Sequence, residues 1–265
     1  MADFSKIAHT YDYQALVQAD AGEKLLELAK PRVGEITLDL GCGSGRFSRA
    51  IRRITGAPLV GLDASQAMIT QARLGGLPLG LEYCVSSAEE IHMENYFDLI
   101  FCNSAFQWFK NPDLVLSQCH RSLKNKGRMA MQAPATRLYC PNFIKALEAV
   151  MSHPETGEIL AGLQNPWLFL ETAEDYNALF LKALFSEVQS EIQTDRVKMT
   201  LSQAMNVFES GAAAGYLDPT HYPSPYPPSY EAQFRQLFGD GLAAQQDAEG
   251  RIELIFNRIY LLALA

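Results

Sequence analysis

Residues 36–47, ITLDLGCGSGRF, run from an apolar stretch into glycines at alternate positions and then into a polar segment. Few local structures accommodate such a run. Ile36–Leu40 reads as a short buried strand and residues 45–54 as a helix, with a tight bend between them. Gly41 and Gly43 stand where the backbone must turn sharply and approach a ligand, which a missing side chain permits. A strand, a glycine turn and a helix in that order open a doubly wound α/β sheet.

The chain continues the alternation. Further strands are expected at Leu59–Leu62, Leu81–Val85, Phe97–Asn103 and Arg128–Gln132. Helices are expected at 65–74 and 112–124, the last closed by Lys126-Gly127. Before the sheet, the first 30 residues predict a helical arm that Pro31 ends. After Pro134 the alternation breaks. Helical patches such as Phe143–Met151 stand among Pro141, Pro154, Pro166 and Trp167, which predicts an insertion over the carboxyl edge of the sheet. Strand pattern returns at Val188–Met199, followed by a helix over 201–213. The proline-dense Asp218–Pro228 segment is expected to be a loop, and Arg251–Leu262 a final strand. The expected organisation is a helical arm (1–33), a ligand-binding core (34–133), a helical cap (134–185) and a part completing the sheet (186–265).

Composition removes several functional classes. Lys+Arg 22 against Asp+Glu 30 gives a net charge of −8, the wrong sign for a chain whose main partner is nucleic acid. Arg46, Arg49, Arg52 and Arg53 cluster, but their spacing predicts a solvated helix face. No apolar run approaches the roughly 20 residues of a membrane span. The opening MADFSKIAHTYD does not read as a signal peptide, so a cytoplasmic location is expected. The five cysteines form no C-x-x-C pair, so neither a zinc site nor a disulfide framework is expected. Cys84 and Cys102 read as core residues.

The spacing around the turn narrows the ligand. Asp39, two residues before Gly41, suits a ligand with an ammonium group. A dinucleotide fingerprint needs a third glycine where Arg46 stands; Gly45 comes one residue early, giving D-x-G-x-G-x-G. Asp63 ends the second strand about 20 residues past the glycines, where a carboxylate accepts ribose hydroxyls. Met68 is equally suited to flank an adenine ring or to fill core. Ser87, Ala88 and Asn103 follow the third and fourth strands, so four strand ends converge at the expected switch point.

These motifs, LDLGCGSG, VGLDAS, SSAEEI, FDLIFCNSAFQW and LKNKGRMAM, resemble class I S-adenosylmethionine-dependent methyltransferases with a methyltransferase type 11 core. The opening residues and the SAFQW run are similar to malonyl-acyl carrier protein O-methyltransferases and trans-aconitate methyltransferases. The resemblance covers Ile36 to about Gln132. It implies a Rossmann-like seven-stranded sheet whose last strand is antiparallel, and S-adenosyl-L-methionine as cofactor. It implies that Asp39, Gly41 and Gly43, with Cys42 between them, bind the methionine portion. Asp63, followed by Ala64, would take the ribose, Ser87 and Ala88 the adenine, and Asn103 the sulfonium end. The family usually has an aspartate where Ser87 stands, which leaves the adenine contact to backbone or to Glu89.

The residues themselves contain no evident catalytic dyad and no metal cluster. A carboxylate acceptor is already ionised at pH 7 and needs no general base. Tyr11 either folds over the cofactor or covers the sheet edge; Trp108 either walls the pocket or packs. Arg137 and Arg196 are candidates to hold an acidic substrate, free or carrier-linked. His9 and His221 would become candidate bases if the acceptor were a hydroxyl. The alternatives are a phenolic, amine or carbon acceptor, a nicotinamide oxidoreductase, and a non-catalytic nucleoside-binding protein.

Overall fold

A computed structural model describes residues 16–265, with side chains from residue 20. Seven strands form one sheet: β1 (Thr37–Leu40), β2 (Leu59–Asp63), β3 (Leu81–Val85), β4 (Phe97–Asn103), β5 (Leu123–Pro134), β6 (Glu187–Thr200) and β7 (Arg251–Leu264). Their order is β3-β2-β1-β4-β5-β7-β6. Strand β1 pairs in parallel with β2 and β4, as do β2 with β3 and β4 with β5; β7 runs antiparallel to β5. The winding proceeds outward from β1 to β3, then restarts with β4 on the other side of β1. That reversal opens a crevice at the carboxyl ends of β1 and β4, where ligands of doubly wound sheets bind.

Alternation along the strands builds a core on each face. On one face, Leu99 and Phe101 of β4 and Ala130 of β5 pack with Leu25 and Ala29 of α1 (Leu16–Ala29). Ile51 of α2 (Arg46–Thr55) and Ile69 and Ala72 of α3 (Gln66–Leu74) join them. On the other face, Ile100, Cys102, Met129 and Met131 meet Val115, Leu116 and Cys119 of α4 (Pro112–Ser122). Tyr176 and Phe180 of α7 (Ala173–Lys182) complete that layer.

Three local expectations are corrected. Lys126-Gly127 does not close a helix: α4 ends at Ser122, and both residues lie inside β5. There the pairing with β4 shifts register between Phe97 and Leu99, and Lys126 takes φ +65°. The glycine thus serves a strand irregularity, which admits an extra residue at the cost of a local kink. Cys84 is exposed, because β3 is the sheet edge and shows alternate residues to solvent, whereas Cys102 is buried. The arginine cluster is only in part a solvated face. Arg49 Nη1 donates to Ser44 O (3.0 Å) and Ala72 O (3.2 Å), and Arg52 donates to Leu79 O at 3.1 and 2.6 Å. These arginines clamp α2 onto α3 and the loop before β3; Arg46 and Arg53 are exposed.

Contacts divide the chain into two units. One contains the described residues up to Arg137, with Leu168–Gln193 and Arg258–Ala265. Here Arg128 is its main polar brace: its guanidinium donates to Ala29 O and Lys30 O and makes two bonds of 2.7 and 2.8 Å to the Glu35 carboxylate. It ties the end of α1 to β5. The other unit contains Leu138–Trp167 and Thr194–Asn257. In it, α5 (Pro141–Ser152), α6 (Pro154–Ala161), α8 (Leu201–Glu209), α9 (Ala213–Tyr216) and α10 (Ser229–Ala243) surround Phe143, Phe208, Tyr216, Phe234 and Phe238. Pro141 and Pro154 each open a helix, where a missing N–H costs nothing. Gly241 lets α10 approach α5: a Cβ there would stand 2.7 Å from Ala146 O. The proline-dense segment holds a short turn at Pro219–His221 and reaches α10 through Pro228.

Candidate functional site

Past Leu40 the chain bends through Gly41 (φ +74°), Gly43 (φ +53°) and Gly45 (φ +77°). All three need the left-handed region, which glycine alone enters without strain. A Cβ on Gly41 would also fall 2.2 Å from Ala105 Cβ, in the loop after β4. The bend is fastened to the end of β2. Gly41 N and Cys42 N both donate to Leu62 O, at 2.7 and 3.0 Å. Gly43 N donates to Asp63 Oδ2 at 2.9 Å, while Asp63 Oδ1 accepts from Ser65 N at 2.8 Å. The glycine turn and its partner acid are therefore joined directly.

Beneath the turn lies a second acid. Asp39 is 2% exposed and accepts a 2.5 Å bond from Ser48 Oγ. Burial lifts its pKa to about 7, against the opposing Ser48 bond; the neighbouring Asp63 charge pushes the same way. Burial also raises Asp63, opposed by the backbone donors of Ser65 and Gly43. Among the described residues no cation offsets these two desolvated carboxyls, so both are pushed toward the neutral form, and an arriving ammonium group would relieve both. A glycine-walled cradle above a buried acid fits a ligand that couples an amino group to a ribose.

The other candidates are placed as follows. The Cys42 thiol packs in the core near Gly61, and burial holds its pKa well above the ordinary thiol range, so this residue offers the turn only backbone. Ala64 is half-buried beyond Asp63, and Met68 is buried in the first turn of α3. Ser86 N donates to Asp63 O at 3.1 Å, which draws the end of β3 to the site. Ser87 caps the short turn Ala88–Glu90: it bonds the Glu89 carboxylate and accepts from Glu89 N, while Ala88 is buried. Asn103 is half-buried at the end of β4, and Trp108 is half-buried on the Phe106–Trp108 turn that follows. Arg137 extends into solvent, with Nε 3.7 Å from Glu171. Arg196 lies in the other unit, exposed on β6, and pairs with Glu253 at 3.2 Å. His221, also in that unit, has Nδ1 3.0 Å from Gly215 O. Tyr11 and His9 lie outside the described residues.

Four polar residues escaped the sequence reading. Ser48, in the first turn of α2, carries the Asp39 bond. Gln107 is buried, donates to Ser104 O at 3.0 Å and keeps Oε1 without a hydrogen-bond partner among the described residues. Gln132 and Arg258 are buried at the ends of β5 and in β7. With the Gln132 amide turned so that its nitrogen faces acceptors and its oxygen faces donors, the nitrogen donates to Asn103 Oδ1 (2.9 Å) and Ser104 Oγ (2.8 Å), and the oxygen accepts from Arg258 Nη1 at 2.9 Å. Their signal was a polar residue inside an otherwise apolar strand, a combination that is costly unless bonded or functional.

Sheet order and acid-flanked turn together define a Rossmann-like core. Residues 38–131 match the family described as methyltransferase domain. This stretch is similar to a methyltransferase domain. Curated relatives include the malonyl-acyl carrier protein O-methyltransferase of Calditerrivibrio nitroreducens, 30% identical over 47% of this chain and 50% of that protein. The enzyme of the same name from Xylella fastidiosa is 28% identical over 74% of each chain. The chain spans about half the length of the first of these relatives. Among solved structures, a phosphoethanolamine N-methyltransferase 2 of Haemonchus contortus bound to S-adenosyl-L-methionine has a TM-score of 0.60 at 17% identity, covering 98% of this chain and 57% of that one. The YcgJ protein of Bacillus subtilis has a TM-score of 0.61 at 17% identity, covering 93% and 98%. These likenesses show the fold. No helix among the described residues is long and apolar enough to cross a membrane, and no group of metal-ligating side chains occurs among them.

Proposed function

We propose that the chain is an S-adenosylmethionine-dependent methyltransferase that O-methylates a carboxylate on a small or carrier-linked acid. The observation that carries the cofactor reading is the 2.9 Å bond from Gly43 N to Asp63 above the buried Asp39. Asp39 would face the amino group of the methionine portion. Asp63 would take the ribose hydroxyls with the lone pairs that its backbone donors leave, since a carboxylate has about four acceptor positions. Ser87 and Ala88 lie toward the adenine, Asn103 and Trp108 toward the reacting end. The malonyl-specific names of the curated relatives support a carboxylate acceptor.

When bound, the cofactor supplies an electrophilic methyl group: an acceptor oxygen lone pair forms the new O–CH3 bond while the C–S⁺ bond breaks, its electrons passing to sulfur. No proton moves, so the chain needs no general base. Its own task is alignment of the reactants, an effect worth roughly 7–11 kcal/mol, and the exclusion of water.

Methyl transfer from labelled cofactor to dicarboxylates, malonyl thioesters and phenols tests this reading. Base-stable incorporation into phenols alone would contradict it; alkali-labile methyl ester on an acid is the expected product.

A further inference from the structure

Between α3 and β3 the chain reads GGLPLG over residues 75–80 and turns its two leucines outward. Leu77 is 58% exposed and Leu79 93%; Leu74, which closes α3, is 75% exposed. A single exposed leucine is ordinary. Three within six residues keep apolar surface in water, and such a cluster marks a docking surface. Two bonds from the Arg52 guanidinium to Leu79 O, at 3.1 and 2.6 Å, pin the crest of the loop, so its leucine stays turned out. Nearby, Gly34 N donates to Thr55 O at 2.7 Å, which seats the exposed Val33 beside Ile54 at the end of α2.

The charge of this face opposes that of the whole chain. Residues 46–81 hold five arginines and one acid, Asp63, in a chain of net charge −8. Asp63 lies at the glycine turn, accepting from Gly43 and Ser65; the charges on α2, α3 and the loop are all positive. Arg49, Arg52, Arg53 and Arg73 donate to backbone carbonyls, and none of the four has a carboxylate partner among the described residues. Gly56 and Gly80 come just before β2 and β3, so the face lies at the amino edge of the sheet. The glycine turn is at the opposite edge, about 17 Å away along a five-residue strand. Docking on this face leaves that edge clear.

We propose that this face docks on an anionic lipid surface, its leucines entering the headgroup layer and its arginines meeting lipid phosphates. The inference is independent of the cofactor reading. Guanidinium groups pair well with phosphate, and apolar side chains beside them add affinity by leaving water. A second copy would set arginine against arginine, because the face carries one sign of charge. An acidic protein would have to pack closely around leucines that protrude singly from a loop crest, leaving gaps where interfaces are normally dense. A yielding headgroup layer closes around them.

The test floats the full chain with vesicles of phosphatidylcholine, alone and with about one-third phosphatidylglycerol, at low and high salt. Binding should require the anionic lipid and weaken as salt rises. Leu77→Ser with Leu79→Ser should weaken it at least about tenfold, and Arg53→Gln or Arg73→Gln about fivefold each. Arg121→Gln with Arg196→Gln, exposed arginines paired to acids elsewhere, should stay within about twofold. No binding to anionic vesicles overturns the inference, as does binding that the leucine and arginine changes leave intact. A dimer that the leucine changes dissolve assigns the face to a second copy, and binding of polyglutamate in place of vesicles assigns it to an acidic protein; either result overturns the lipid reading. If a variant does not fold, hydrogen exchange of the unaltered chain decides: protection of residues 74–80 by anionic vesicles supports the inference, and protection only elsewhere overturns it.

Discussion

Protonation of Asp39 couples ligand binding to pH. Its folded pKa, about 7, lies above the ordinary 3.8, so the folded chain holds a proton that the unfolded chain has released. Stability from this group is complete below about pH 4 and is lost as pH rises through 7. The melting temperature of the ligand-free protein should fall between pH 5 and 8, and Asp39→Asn should flatten that fall. Binding of an ammonium ligand selects the ionised form. Below pH 7 its affinity should therefore drop about tenfold per unit, because binding expels the Asp39 proton; calorimetry in two buffers measures the released proton. A pH-independent affinity would show that Asp39 does not meet the cation. In the proposed site the turn and the ribose would share the Asp63 carboxylate, so Asp63→Ala should lower cofactor affinity by roughly 10–100-fold and also loosen Gly43. Both acids were legible because their spacing from the glycines is fixed by strand geometry. Ser48 was not: a serine in a helix looks the same whether or not a buried acid lies behind it.

Among the elements, the turn and the α1–β5 junction carry the sharpest expectations. Gly41→Ala forces a side chain into the left-handed region, about 1–2 kcal/mol, and onto Ala105. Adding Ala105→Gly should recover the steric part and leave the backbone part, which urea unfolding of the single and double variants separates. If the two changes simply add, the close approach is not what demands the glycine. Arg128→Met leaves Glu35 with only the Arg32 N–H and leaves two backbone carbonyls without the guanidinium. Losing one partner of a largely buried pair costs about 3–5 kcal/mol, so the denaturation midpoint should fall markedly; a change under about 1 kcal/mol would mean that solvent replaces the brace. The strands of the parallel core were readable as apolar runs between glycines and acids. Within β5 the reading failed at Lys126-Gly127, because the same dipeptide serves a helix end or a strand irregularity, and only the partner strand decides. Cys84 failed for a related reason: an apolar run does not reveal that its strand is the sheet edge.

For the molecule as a whole, the doubly wound sheet followed from the order of elements, and its antiparallel last strand from the family resemblance. What the order could not show is that β6 and β7 each pass from one unit to the other, at 193/194 and 257/258. Arg258 stands at one of those crossings. If the acceptor arrives on a carrier rather than free, basic residues should meet an acidic partner, and added salt should raise KM with little change in kcat. Salt-independent kinetics would favour a free small acid. The most direct measurement is the titration of S-adenosylmethionine into the unaltered chain and into Asp63→Ala at pH 8. Saturable binding by the first, weakened at least about tenfold in the second, is the expected result; absence of binding by the first, or equal affinity in both, would contradict the placement of the nucleoside at the turn.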